Sequence, residues 1–188
     1  MMDTNSVHMS VQSDRLIYRE FNDTDRTQLA YFMINPAQLK YMRFSICSDK
    51  EIDDFLHMAI DQASAEKRTE WHLAIEEKGQ DGFIGSVALM MDQGSQCSAE
   101  IGYWFKKEYW GKGYATEATR AMIAFGFDVI KLHRIWGVCH IDNQASAKVM
   151  EKSGMMFEGT LREHVWLRDH FRSSLLYSIL EQEYDNMK

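Results

Sequence analysis

Tyr109-Trp110-Gly111-Lys112-Gly113-Tyr114-Ala115-Thr116-Glu117-Ala118 is the stretch on which the fold turns. On its N-terminal side lies a run of β-formers, Ala99–Phe105. On its C-terminal side Tyr114, Ala118, Ala121, Met122, Phe125 and Val129 recur at helical spacing, the strongest such face in the chain. Two glycines one residue apart let the backbone turn tightly and approach a ligand closely. A helix starting there points its free N–H groups and the positive end of its dipole back at the loop. That is a ready phosphate site. The stretch lacks the G-x-x-x-x-G-K-[ST] of a Walker loop. It also departs from the dinucleotide fingerprint, because Thr116 stands at the third glycine position. The competing reading is a tight strand–helix turn whose glycines serve geometry alone.

Elements on either side can be placed by the same rules. Arg15–Arg19 reads as a first strand, and Asn22–Asp25 supplies caps for a helix through Gln28–Met33. Asn35-Pro36 is a break. Ser48 or Asp49 caps a second helix with Ile52, Phe55, Leu56, Ala59, Ile60 and Ala63 at helical spacing. Trp71–Ile75 and Phe83–Met91 read as strands joined by the Lys78–Gly82 turn. Beyond the loop come a strand at Arg134–Ile141 and a helix capped by Asp142 or Asn143 and ended by Gly154. A hairpin of Val165–Leu167 and Phe171–Leu180 closes the chain. This order predicts a mixed α+β or α/β sheet in one domain spanning residues 12–188, after a flexible N-terminus at residues 1–11.

Composition narrows the function. The 188 residues are 45% hydrophobic and 26% charged, which is enough for an ordinary core without disulfides or metal. Thr27–Leu39, 13 residues, is the longest stretch free of Asp, Glu, Lys and Arg, so no membrane span is expected. The N-terminal residues do not read as a signal peptide. A net charge of −7 argues against direct nucleic-acid binding, yet it leaves room for an anion held by backbone N–H groups. Cys47, Cys97 and Cys139 are odd in number and far from zinc spacing. They read as free thiols in a reducing, cytoplasmic setting, with no metal site.

Several blocks together carry a resemblance. They are Glu100-Ile-Gly-Tyr-Trp-Phe105, Trp110-Gly-Lys-Gly-Tyr-Ala-Thr-Glu-Ala118, Asn143-Gln-Ala-Ser146 and Glu151-Lys-Ser-Gly154. In this order they resemble the GNAT superfamily of acetyl-CoA-dependent N-acetyltransferases, and within it the branch of the RimJ and RimL ribosomal-protein N-terminal acetyltransferases. Arg15–Arg19 resembles that branch's opening strand. Leu161-Arg-Glu163 and Leu176–Leu180 resemble its closing hairpin, so the likeness runs from about residue 14 to 183. It implies the GNAT fold: a central mixed, twisted sheet of about seven strands, about four helices, and one splayed parallel strand pair. It also implies that the backbone of Gly111, Lys112, Gly113, Tyr114, Ala115 and Thr116 holds the pyrophosphate of acetyl-CoA. A bulge would splay the strand, and backbone groups near Trp104 and Phe105 would pair with the pantetheine arm. Trp110 stands where the superfamily usually has Gln or Arg, as is common in this branch.

The implied chemistry is acetyl transfer to a primary amine by direct attack in a ternary complex. An α-amino group has a pKa of about 7.7–8.0, so roughly a tenth is neutral near pH 7; a lysine amine is under about 0.1% neutral. An N-terminal acceptor therefore asks little of a base, and positioning contributes most. Ser146 resembles the serine of the RimL-type N-x-x-S motif, proposed there to protonate the departing thiolate; a local helix bond is its alternative role. The tyrosine that serves elsewhere in the superfamily is replaced by Met150. Asn143 would bind pantetheine or cap the helix. Glu100 is the base candidate. By strand alternation it shares a face with Gly102 and Trp104, opposite Ile101, Tyr103 and Phe105. Tyr31, Phe32 and Phe44 fall where the family's first helices wall the acceptor site.

Other polar and aromatic residues give weaker signals. Glu163 and His164 lie near the position of an acidic residue in RimL-like enzymes, but Val165 aligns with it. His72, His133 and His140 receive no role, and the five tryptophans and Leu89–Met91 read as core. The acceptor stays open between a protein or peptide α-amine and a small amine such as a polyamine, amino acid or drug. A non-catalytic acyl-CoA sensor on the same fold is the third possibility. A monomer or homodimer is expected.

Overall fold

Capping residues set the helix starts on one side of the molecule. The structure, a computed structural model, describes residue 11 and residues 13–95 and 97–188. The expectation of a flexible N-terminus falls on residues 1–10, which lie outside the described residues; Val11 is buried against the core. β1 (Leu16–Glu20) is followed by a capping box in which Asn22 and Asp25 bond each other's backbone. α1 (Arg26–Met33) then runs to the Asn35-Pro36 break. Ser48 and Glu51 form a second capping box at the start of α2 (Asp49–Ser64). Leu29, Phe32, Ile52, Leu56 and Ala59 bury one face of these helices against Phe21, Ala74 and Phe83.

β2 (Glu70–Glu77), β3 (Phe83–Met91) and β4 (Ser98–Phe105) form an antiparallel meander with β1. α3 (Tyr114–Phe125) crosses to β5 (Arg134–His140), and α4 (Gln144–Lys152) leads to β6 (Met156–Leu167) and β7 (His170–Leu180). A short α5 (Glu181–Asp185) follows. The sheet order is β1-β2-β3-β4-β5-β7-β6, and β4–β5 is its one parallel pair. α3 and α4 cover one face through a core of Tyr114, Ala118, Met122, Ile123, Ala147 and Met150, while α1 and α2 cover the other.

Two departures from the sequence reading have local causes. α3 passes into a π-helical segment at Gly126–Ile130, and the wider turn leaves Val129 41% exposed instead of buried. Gly126 lies against the sheet there; a Cβ would sit 2.6 Å from Ile135 Cδ1. β6 begins at Met156, nine residues before the expected start. Most of those residues are exposed, so no alternation marks them, and the pairing with β7 shifts register twice.

β5, β6 and β7 are joined by a charged cluster. The Arg134 guanidinium grips Glu158 with bonds of 2.7 and 2.8 Å, and the Ser178 hydroxyl donates a further one. Together they hold the Glu158 carboxyl down at about 2. Its folded pKa lies below an unfolded value of about 4.3, so the stabilisation is present above that pH and disappears as pH falls toward 2. Because Glu158 is more than a third exposed, about 1 kcal/mol is expected, or about 2–4 °C in Tm. Glu158→Gln should show that deficit at pH 7 in a thermal melt. The gap to the unsubstituted protein should close as pH drops below about 4.

Candidate active site

The site forms where β4 and β5 part. Their ladder holds only Ser98↔Arg134, Ala99↔Ile135 and Glu100↔Trp136, although both strands run on to Phe105 and His140. β4 pairs with β3 without a register shift from Met91↔Ala99 to Gly85↔Phe105. No bulge splays β4, contrary to the sequence expectation. β5 instead follows β7 along its whole length while β4 follows β3, and the two diverge with their own neighbours. Asp92 N donates to Ser98 O and Lys106 N to Ile84 O, so even-numbered residues of β4 spend their main-chain groups on β3. The main chain of Tyr103 and Phe105 therefore faces the gap. Trp104 bonds toward β3, and its indole stacks on Phe32 with centroids 3.7 Å apart.

The glycine loop stands at the open end of this gap. Gly111 and Gly113 have φ of 75° and 83°, which a side chain rarely adopts. Gly113 is the N-cap of α3, and unlike Ser48 on α2 and Asn143 on α4 it has no side chain to cap with. The N–H groups of Tyr114, Ala115 and Thr116 thus open the helix without an acceptor among the described residues. The nearest acid is neutralised: Arg15 Nε donates to Glu117 at 2.7 Å, and Arg15 Nη1 donates to the Lys112 carbonyl at 3.0 Å. The Tyr114 side chain is an anchor, with its hydroxyl on Glu77 and the Arg15 guanidinium 4.5 Å above its ring. Trp110 Nε1 donates to the Phe105 carbonyl at 2.7 Å and fastens the loop to the end of β4. Lys112 is exposed, its Nζ 4.9 Å over the Tyr109 ring. Beside the helix start is an open cavity of about 670 Å³ whose lining includes Arg15, Thr116, Arg120 and Lys152. Lys152 belongs to the Glu151–Gly154 block but is given no role there, and Arg120 carries no sequence signal; the folded chain brings both to the loop.

Inside the gap, Ser146 meets a residue the sequence reading assigned no role. Its Oγ is 2.8 Å from the Tyr103 hydroxyl, so its hydroxyl faces across to β4 and makes no local helix bond. Burial pushes the Tyr103 hydroxyl far up, so it stays protonated. The Tyr103 hydroxyl can donate either to the Ser146 carbonyl, 3.1 Å away, or to Ser146 Oγ; in the second arrangement the serine proton is free to point into the gap. The neighbouring Cys139 thiol is buried and pushed up to about 11, which makes it a neutral, inert group. Asn143 accepts from Ser146 N at 3.2 Å, the capping role.

Glu100 is the last residue of β4 that pairs with β5, on the α1–α2 side. Burial raises its pKa, and Arg43 opposes that shift through an ion pair of 2.5 Å. The three residues expected to wall the acceptor separate. Phe32 is 1% exposed in the core and does not face an acceptor, a correction that its helical spacing explains. Tyr31 is 56% exposed on the outer side of α1. Phe44 is partly buried against the same core as Phe32. A pocket beside the gap is lined by Tyr41, Met42 and Arg43, opposite Val138–His140 and the β6–β7 hairpin.

The sheet opens between two parallel strands, with an uncapped helix start at its mouth and a hydroxyl pair within, an arrangement that suits an extended phosphate-bearing ligand. The chain matches the Acetyltransferase (GNAT) domain over residues 15–156, and it belongs to that family. It is an acetyl-CoA-dependent N-acetyltransferase. The uncharacterized N-acetyltransferase p20 of Bacillus licheniformis is 27% identical over 176 residues, 93% of this chain and 98% of that one. The ribosomal-protein-serine acetyltransferase of Escherichia coli is 29% identical over 99 residues, 53% of this chain and 55% of that one, in keeping with a RimJ/RimL-like branch. The fold is shared with spermidine N-acetyltransferase from Vibrio cholerae, solved with CoA and spermine, at a TM-score of 0.79 and 22% identity over 91% of this chain and 98% of that one. Among the described residues no helix is long and apolar enough to cross a membrane, and no group of side chains could hold a metal ion.

Proposed function

We propose that the acceptor is the α-amino group of a protein or peptide. The names of the relatives point two ways, to a ribosomal-protein serine and to spermidine. The observation that favours the first is the Arg43–Glu100 ion pair. Among the described residues the one carboxylate placed at the gap is engaged by Arg43, so although burial raises its pKa it must leave that ion pair before it can take the proton of a high-pKa amine. An α-amine needs least help, since roughly a tenth of it is neutral near pH 7.

Acetyl-CoA supplies the acetyl thioester and a thiolate leaving group. The chain's own groups fit it. The N–H groups of Tyr114, Ala115 and Thr116 hold the pyrophosphate at the helix start. Arg120 and Lys152 add positive charge nearby. The main chain of Tyr103 and the N–H of Phe105, facing the gap, pair with the pantetheine arm and complete the sheet edge, the Phe105 carbonyl being held by Trp110. On this geometry Tyr103 takes the place expected for Trp104. Ser146, backed by Tyr103, donates to the departing sulfur. Glu100 takes the proton that the amine sheds, directly or through water.

Glu100→Gln should then slow turnover of an N-terminal peptide by about ten- to a hundredfold, the lower range of general-base effects. A panel of N-terminal peptides, a lysine-side-chain peptide and spermidine tests the reading. The α-amines should be acetylated fastest, and the best substrate should show this modest Glu100 dependence. Spermidine or lysine as the fastest acceptor, with a much larger loss in Glu100→Gln, would overturn it.

A further inference from the structure

Charge is distributed unevenly around the acceptor side of the gap. The whole chain carries −7, with 28 acidic and 21 basic side chains. The pocket between the 34–48 loop and the β6–β7 hairpin reverses that balance. Its lining includes Tyr41, Arg43, His140, Val165, Arg172 and Ser174. Arg172 makes no ion pair among the described residues. Its guanidinium bonds only His170 Nε2 at 3.2 Å and the Lys40 carbonyl at 3.4 Å. Lys40 lies over the Tyr41 ring at 4.8 Å and has no carboxylate either. Among the described residues two acids reach this wall, Glu100 through Arg43 and Asp142, whose carboxylate lies 3.7 Å from His140 Nδ1. His140 adds no charge at neutral pH. Burial lowers its pKa, and Arg172, His170 and Lys40 push it further down against the pull of Asp142.

A guanidinium left without a counter-ion beside a binding gap is a carboxylate receptor, because its planar donors match two carboxylate oxygens. We infer that the acceptor amine belongs to an acidic N-terminal segment, with a carboxylate in its first residues that docks on Arg172 and Arg43. The inference rests on the α-amine reading above. It supplies specificity in both directions. An acidic peptide meets two uncommitted or exchangeable cations, whereas a polyamine brings its extra ammonium groups against Arg43, Arg172 and Lys40. It also connects recognition to chemistry. A substrate carboxylate that takes Arg43 releases Glu100 to accept the proton shed by the amine.

The test compares paired peptides of equal length, capped as C-terminal amides, with Asp or Asn at the second position, alongside free serine, serinamide and spermidine. For the intact protein kcat/KM should favour the Asp peptide by tenfold or more, and spermidine should be the poorest acceptor. Arg172→Gln should cost the Asp peptide more than tenfold and the Asn peptide less than threefold. Arg172→Lys should recover part of the preference, which a purely structural defect would not. Free serine preferred over serinamide, with both peptides inert, would keep the carboxylate receptor and remove the peptide. Equal turnover of the Asp and Asn peptides, or a preference unchanged by Arg172→Gln, would overturn the inference while leaving the α-amine reading intact. A protein that acetylates spermidine and no α-amine would overturn both.

Discussion

Gly113→Val and Gly111→Val should each abolish measurable acetyl-CoA binding while the protein stays folded. The reason is conformational. Both glycines have positive φ, and a Cβ at either would meet nothing closer than the Arg15 guanidinium at 3.5 Å. A valine there has room but is strained by its backbone, at about 1–3 kcal/mol. Against a typical stability of about 5–15 kcal/mol the fold survives, with Tm lowered by about 2–4 °C per kcal/mol. The loop relaxes by turning the N–H groups of residues 114–116 away from the position they share. Hydrogen bonds to a charged group are worth about 1.5–3 kcal/mol each, so losing two costs about a hundredfold or more in affinity. Gly113→Ala, strained at the same φ but without β-branching, should fall in between. Calorimetry on the purified variants, with melts alongside, reads both quantities. Wild-type affinity in both valine variants would remove the loop from the binding site.

Ser146→Ala should lower kcat by about ten- to a thousandfold, as for other lost donors at a site of developing charge, with little change in acetyl-CoA affinity. That pattern marks an interaction made mainly in the transition state. The loss should stay bounded, because a thiol of pKa near 8.5 is a fair leaving group even without a proton. Tyr103→Phe isolates the second hydroxyl. It should cost less than Ser146→Ala, and in the double variant the losses should fail to add, since Tyr103 acts through Ser146. Stopped-flow or steady-state kinetics at saturating acetyl-CoA would decide. An unchanged kcat in Ser146→Ala, with only a lowered Tm, would make Ser146 a structural residue.

Much of this architecture was legible because the chain is locally consistent. The cap residues Asn22 and Ser48 mark helix starts, and Phe83–Met91 reads as a strand beside its turn residues, a strand in which the structure buries seven of nine residues. The glycine loop stands out because positive φ leaves its mark on residue type. Contacts between distant segments leave none. Tyr103 and Ser146 are 43 positions apart, and Arg43 and Glu100 are 57 apart. Neither pair has a periodicity to betray it. Alternation did put Tyr103 and Glu100 on opposite faces of β4, yet it could not tell which faced a partner. Phe32 was misplaced for the opposite reason: an aromatic on an amphipathic helix serves a core and a binding wall equally well until its stacking on Trp104 is seen. The first half of β6 was invisible because a strand exposed on both faces has no hydrophobic signature.

The thin β4–β5 ladder also divides the sheet into two slabs, each made from one continuous length of chain: residues 16–105 form β1 to β4, and residues 134–180 form β5 to β7. Three residue pairs are the ladder between them. The pocket lined by Tyr41 and Arg43 from one slab and by His140 and Arg172 from the other straddles the same seam. A donor lying in the gap and an acceptor lying in that pocket would thus each touch both halves of the chain.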